Sequence, residues 1–146
     1  MIRGMTATFA TSAWAEQLAT RLQDSARVRT ESMSWVFGPL LLVVDADSEL
    51  GVDATAIRVD LHEGSVRGVS SGPLGDAGLA PFRIEGSVQR WQAVFGGTLG
   101  LVDAVLDSRL RATGDLPTLA RHRELFAAVA AAGAEVETTW PEPATA

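Results

Sequence analysis

The chain contains no cysteine, no lysine and no tyrosine. Without cysteine there are no disulfides, no thiolate nucleophile and no cysteine zinc site, and the redox compartment stays undetermined. Without lysine there is no Schiff-base chemistry, and all 12 cationic side chains are arginine, a bias that matches a GC-rich coding sequence. Basic clusters are missing too. A net charge of −6 and a pI of about 4.8 argue against a nucleic-acid partner and against an anionic membrane surface. No window approaches the roughly 18 apolar residues of a membrane-spanning helix. Residues 1–10 carry one arginine but neither a long apolar run nor an Ala-x-Ala cleavage site, so the expectation is a soluble, cytoplasmic protein without stable membrane insertion.

The motifs of common catalytic and nucleotide sites are also absent. There is no Gly-x-Ser-x-Gly, no Gly-x-Gly-x-x-Gly and no P-loop, and the glycines at 72–78 and 96–97 read as turn residues. Of the two histidines, His62 shares a strand face with Asp60 while Glu63 points the other way, which suits a solvated hairpin end better than a metal site. His122, inside Arg121-His122-Arg123, reads as part of an exposed helix face. Neither a metal nor a cofactor is expected.

What is present is enough for one packed unit. A chain of 146 residues, 47% of them hydrophobic, buries roughly two thirds of its unfolded surface without metal or disulfide. Thr11-Ser12 caps a helix over 12–24, with Glu16 in its first turn and Trp14, Leu18 and Leu22 on one face. From Val28 the period changes to two, with Met33, Trp35 and Phe37 alternating with Ser34 and Val36, and the spacing predicts a strand over 31–44 bent at Gly38-Pro39. Alternation of Ile57, Val59 and Leu61 with polar residues predicts a strand over 54–62, a turn at Glu63-Gly64 and a partner strand over 65–69. A loop at 70–80 leads to a strand over 81–86. Ser87 then caps a helix carrying Val88, Trp91 and Phe95 on one side, which Gly96-Gly97 ends. A second short helix, 99–106, is apolar apart from Asp103, and 109–113 alternates again. Asp115 and Pro117 open a last helix that Gly133 closes. The order predicts an α+β domain over 1–134, helices on one face of a mainly antiparallel sheet, followed by a loose tail over 135–146, whose Trp140 is either docked on this domain or a partner or simply exposed.

This order of motifs resembles the sterol carrier protein type 2 family. The likeness rests on FATSAWAEQLATRL at 9–22, SWVFGPLLLVVD at 34–45, FRIEGSVQRWQAVFGGTLGLVDAVLDSRLRATGD at 82–115 and the helix after Gly114-Asp115. It spans about residues 9–132. The resemblance implies a five-stranded sheet with helices over one face, enclosing an apolar tunnel for sterols, fatty acids or acyl-CoA, and binding or transfer of such a ligand. The chain differs from many members in having no lysine for the tunnel mouth, and PEPATA at its C-terminus is not a Ser-Lys-Leu-type address.

The residues alone leave open whether Trp91 and Phe95 fill a solid core or wall a cavity. On the cavity reading an apolar ligand (lipid, sterol, fatty acyl or polyketide) lies between Trp35, Phe37, Ile57, Val59, Phe82 and Ile84 of the sheet and Trp91, Phe95, Leu101 and Val105 of the short helices. Arg90 is the candidate for a ligand carboxylate, its alternative being a surface ion pair with Glu85. Two rivals stand beside this reading. One is an isomerase or cyclase using Arg90, Asp60 or Asp103 in the same cavity. The other is an interaction module, whose apolar face binds a partner or forms a homodimer.

Overall fold

The computed structural model describes residues 6–78 and 80–143. Thr11 caps the first helix, α1 (Ser12–Asp24), its hydroxyl accepting from the Trp14 amide, and Trp14, Ala15, Leu18 and Leu22 form the buried stripe. Ser25 both ends α1 and caps a second helix, α2 (Ala26–Glu31), by accepting from the Val28 amide.

Here the structure departs from the expected strand over 31–44. Residues 32–39 form a loop, and only Leu40–Val44 is strand (β2). The alternation of Met33, Trp35 and Phe37 belongs to that loop, which buries Trp35 and leaves Met33 and Phe37 exposed. Its backbone is held by the β-hairpin turn beside it: Glu63 and Gly64 donate to the carbonyls of Trp35 and Ser32 at 3.0 and 3.1 Å. Gly38, at φ +94°, makes the corner, a conformation that glycine adopts without a Cβ penalty.

Strand β2 pairs antiparallel with β3 (Thr55–His62) and parallel with β5 (Phe82–Gly86). Beyond β3 lies β4 (Ser65–Pro73), longer than the expected 65–69, and beyond β5 lies the short β6 (Arg111–Thr113). The five strands run β4-β3-β2-β5-β6, three of the four pairings antiparallel. Register fixes the faces. Leu40, Leu42, Val44, Ile57, Val59, Leu61, Phe82 and Ile84 point into the main core. Leu41, Val43 and Ala56 point to the other side, beneath Leu74, Ala77 and Ala80 around a single 3₁₀ turn.

The remaining helices cover the inner face. Ser87 caps α3 (Val88–Phe95), α4 is Leu101–Leu106, and the expected last helix is two: α5 (Leu116–Arg121) and α6 (Arg123–Ala134). The break falls at His122, which the structure half-buries instead of exposing it on a helix face. Its ring stands edge-on to Trp35 at 5.1 Å, and Nδ1 lies 2.9 Å from the Thr118 carbonyl. Helix α6 is the common support, touching α1, α2, α3 and α4. Among the described residues no helix is long and apolar enough to cross a membrane.

The segment expected to be a loose tail is tied down over part of its length. Thr138–Thr139 (β7) runs parallel to Ala7–Thr8 (β1), with Ala7 and Phe9 donating to the carbonyls of Glu137 and Thr139, each at 3.0 Å. The Trp14 indole donates to the Thr138 hydroxyl at 2.9 Å, and Trp140 lies over Phe9 with ring centroids 4.4 Å apart. Trp140 therefore docks on its own domain, one of the alternatives that a lone tryptophan in this segment suggested. Residues 1–5 and 144–146 of the expected domain and tail lie outside the described residues. Trp140→Ala is expected to lower unfolding stability by about 1–2 kcal/mol through lost aromatic contact and burial. Urea denaturation checks this, and an unchanged midpoint would restore the loose tail.

Candidate functional site

Ten of the eleven residues expected around a ligand converge on the inner face of the sheet. Trp35, Ile57, Val59, Phe82, Ile84, Trp91, Phe95 and Leu101 are buried in one core, Val105 is half-buried against it, and Phe37 sits at its rim, 36% exposed. Helix periodicity places the members from α3: Val88, Trp91, Val94 and Phe95 face inward, at steps of three and four residues. The same rotation points Arg90 outward, where it is exposed. Its expected surface partner is taken, since Glu85 pairs with Arg83 at 2.8 Å.

The polar atoms of this interior are satisfied by the backbone. The Trp91 indole donates to the Val43 carbonyl at 2.9 Å and the Trp35 indole to the Gly38 carbonyl at 2.8 Å. These bonds fix both rings, which pack against further rings, Phe82 and Phe126 for Trp35 and Phe95 for Trp91. Asp60 lies on the outer side of β3 and Asp103 is exposed on α4, so neither reaches the interior. Among the described residues, the buried polar side chains are Ser32 and Thr118. The Thr118 hydroxyl donates to Asp115 and accepts from Arg121. Arg111 holds its proton more tightly than an ordinary arginine because Asp45 accepts a 2.7 Å hydrogen bond from it and carries the opposite charge; both lie beyond the end of β2, away from the interior.

Between the sheet and the helices, the open space is small. A void of about 10 Å³ is lined by Ile84, Leu101, Val102, Val105, Leu119 and Phe126. It matches the volume that a single water needs, and hydrocarbon walls of this kind stay dry. The tunnel expected from the resemblance is not seen between these described residues, where aromatic side chains meet one another. Phe9, Trp14, Phe95 and Trp91 form one ring-to-ring chain, with successive centroids 4.9, 5.4 and 6.0 Å apart.

A larger space lies immediately outside. A groove of about 380 Å³ runs between α4 and α6, floored by Ala127, Ala130 and Ala131. Its volume falls within the roughly 300–1,000 Å³ of small-molecule pockets. Leu101 and Val102 line both the groove and the void, so they are the wall that separates the two. Sequence reasoning named Leu101 but missed Val102, Leu119 and Phe126. The apolar run of α4 was the available signal for the first.

The wall is lightly held. Helix α4 has six residues and begins at Gly100, with no side-chain cap on its first amides. Gly97, at φ +83°, precedes it, and Ser108, at φ +60°, follows. One ion pair ties it to α6 across the groove's rim, Arg123–Asp103 at 2.7 Å, both side chains about half exposed or more. Pairs of this kind are worth about 0–1 kcal/mol.

No protein-family model matches the chain, and no curated protein matches it in sequence. Solved structures do match in shape. A crystal structure of sterol carrier protein 2 superposes with a TM-score of 0.81 at 28% identity, over 88% of this chain and 98% of that one. The solution structure of a conserved hypothetical protein from Thermus thermophilus gives 0.81 at 26% identity, over 95% and 97%. The solution structure of palmitated SCP2L2 from Aedes aegypti gives 0.50 at 21% identity, over 76% and 92%, a likeness of fold.

Removing the dividing wall has a measurable cost. Leu101→Ala is expected to lower stability by about 2–4 kcal/mol, through lost burial plus the cavity left behind, read from the urea midpoint at constant slope. A loss below about 0.5 kcal/mol, the usual range of surface substitutions, would mean that Leu101 does not hold the interior shut.

Proposed function

The chain carries the sterol carrier protein 2 fold, and from that premise we propose that it binds an apolar small molecule inside the domain and hands it on. The ligand occupies the space made when α4 swings out and joins the groove to the void. The tail or ring system then lies against Ile84, Leu119 and Phe126, next to Ile57, Val59, Phe82 and Trp91 of the same core, with Leu101 and Val105 closing over it. Trp35 and Phe95 bound its two ends, and Phe37 marks the rim. Burial of ligand hydrocarbon supplies the affinity, at about 25 cal/mol per Å² removed from water.

The observation that carries this reading is the shared wall, Leu101 and Val102, between a dry void and a groove of ligand size. Opening it breaks one short helix from its neighbours and one weak ion pair, Arg123–Asp103, and leaves the sheet registers untouched. Arg123, once released from Asp103, is the cation at the rim able to hold an acidic head group, the part first expected of Arg90. The palmitated state of the Aedes neighbour is in keeping with acyl chains as one class of cargo.

Native mass spectrometry and displacement of a fluorescent fatty acid test the proposal. One ligand per chain is expected, and Leu101→Trp, which overfills the space the ligand would take, is expected to weaken binding at least tenfold, about 1.4 kcal/mol, while lowering stability by about 1–3 kcal/mol. Asp103→Asn is expected to speed ligand entry about two- to fivefold by removing the rim pair. A wild-type protein that carries nothing and takes up no fatty acid, sterol or other apolar probe would falsify the binding reading.

A further inference from the structure

The outer face of the sheet is only partly covered. Leu74, Ala77 and Ala80 lie over Leu41, Val43 and Ala56. Beside them a cleft of about 270 Å³ opens between β3, β4 and the 3₁₀ turn Leu74–Asp76, lined by Ala56, Arg58, Ser70, Gly72, Asp76 and Ala77. Gly72 leaves that space open. It pairs with Ala56 across the ladder, and a Cβ added to it would meet nothing within 4 Å. The same register sets Arg58 opposite Ser70, so their side chains start about 5 Å apart on one face.

The polar groups of the cleft lack partners. Among the described residues the half-buried arginines are Arg58 and Arg83. Arg83 pairs with Glu85. Arg58 has no carboxylate partner, and its hydrogen bond runs from Nη1 to the Ala77 carbonyl at 3.2 Å. That bond fixes the guanidinium under the turn and leaves its other N–H groups free to donate. Among the described residues the Ser70 hydroxyl and the Asp76 carboxylate have neither a hydrogen bond nor an ion pair. Arg58 and Asp76 thus line one cleft without pairing. Partial burial of an uncompensated charge is unfavourable, and an occupant of opposite charge relieves it.

We propose that this cleft binds a small carboxylic acid that also carries a hydroxyl or ammonium donor, as α-hydroxy and α-amino acids do. The Arg58 guanidinium takes the carboxylate, and the Ser70 hydroxyl donates beside it. Asp76 accepts from the hydroxyl or ammonium. Ala56, Pro73 and Ala77 give apolar contact to a short aliphatic side chain. Charge selects this class. One guanidinium matches a carboxylate through two parallel hydrogen bonds, whereas a phosphate dianion would meet one cation, the Asp76 carboxylate and a chain of net charge −6. Size selects it too, since the space falls below the roughly 300–1,000 Å³ of pockets for larger ligands. The cleft lies across the sheet from the void at Ile84 and Leu101, so it is separate from the apolar cargo and does not depend on it.

Two-dimensional NMR of isotope-labelled protein is the test, with L-leucine, its α-hydroxy analogue and isocaproate, the same acid without the donor, as probes. At least one of the first two is expected to bind once per chain, to move the amides of Ser70, Gly72, Asp76 and Ala77, and to bind about three- to tenfold more tightly than isocaproate. Arg58→Leu is expected to weaken binding about tenfold or more, and Asp76→Ala to erase the preference over isocaproate. Gly72→Val fills the cleft at a strand position that suits a β-branched residue. Binding is then expected to fall about tenfold or more, with the melting temperature and fatty-acid uptake unchanged. Four results overturn the proposal. The cleft amides do not move at the highest soluble concentration of either ligand. Isocaproate binds as tightly as both. Gly72→Val binds as the wild type does. The shifts fall instead on Ile84, Leu101 and Val102, which would return the ligand to the interior.

Discussion

Burial of β2 on both faces is the constraint from which the architecture follows. Five consecutive apolar residues, Leu40–Val44, have no polar side to give to water, so they must be covered above and below. The helical layer with α6 at its centre covers one side. The turn around Leu74, Ala77 and Ala80 covers the other. With β2 in the middle, its neighbours are a hairpin strand on one edge and a parallel crossover strand on the other. Even the Trp91 indole is anchored to β2 through the Val43 carbonyl. The orientation of α3, and through it the wall of the proposed site, is thus referred back to the same strand.

That reference frame also bears on where the proposed opening would fall. The sheet side is rigid, because its ladders run across five strands. The helix side is not uniform. Helix α6 is twelve residues long and touched by four other helices, whereas α4 is six residues long, uncapped, and flanked by residues with positive φ. Local opening falls where few contacts and weak caps coincide. The hydrocarbon surface that closes the void and the element most easily moved are the same residues, Leu101 and Val102.

Much of this was legible in the sequence where one local signal dominated. The caps at Thr11 and Ser87, the alternation of Ile57, Val59 and Leu61, the turn at Glu63-Gly64 and the face formed by Val88, Trp91 and Phe95 all stand where the spacing put them. The misreadings have a common cause: tertiary partners that a local pattern does not contain. Met33, Trp35 and Phe37 alternate as a strand does, but the segment's hydrogen bonds go to the turn at Glu63 and Gly64, so it stays a loop. His122 looked solvated between two arginines, yet Trp35 and Phe37 offer their rings to it from a distant part of the chain. The segment after Glu135 is ordinary in composition, and its order comes from Ala7, Phe9 and Trp14 at the other end. For the site, residue types were enough to pick out the apolar lining, while the separation of void from groove depends on how two helices meet.

The pairing of β1 with β7 has a mechanical corollary. The two strands run side by side in the same direction, and the chain enters at the rear of one and leaves at the front of the other. Tension applied between the ends therefore slides the strands lengthwise. Both backbone bonds, Ala7 to Glu137 and Phe9 to Thr139, are loaded together under such a pull, where an antiparallel pair would unzip one bond at a time. A fastener this short resists traction along the chain better than its area suggests.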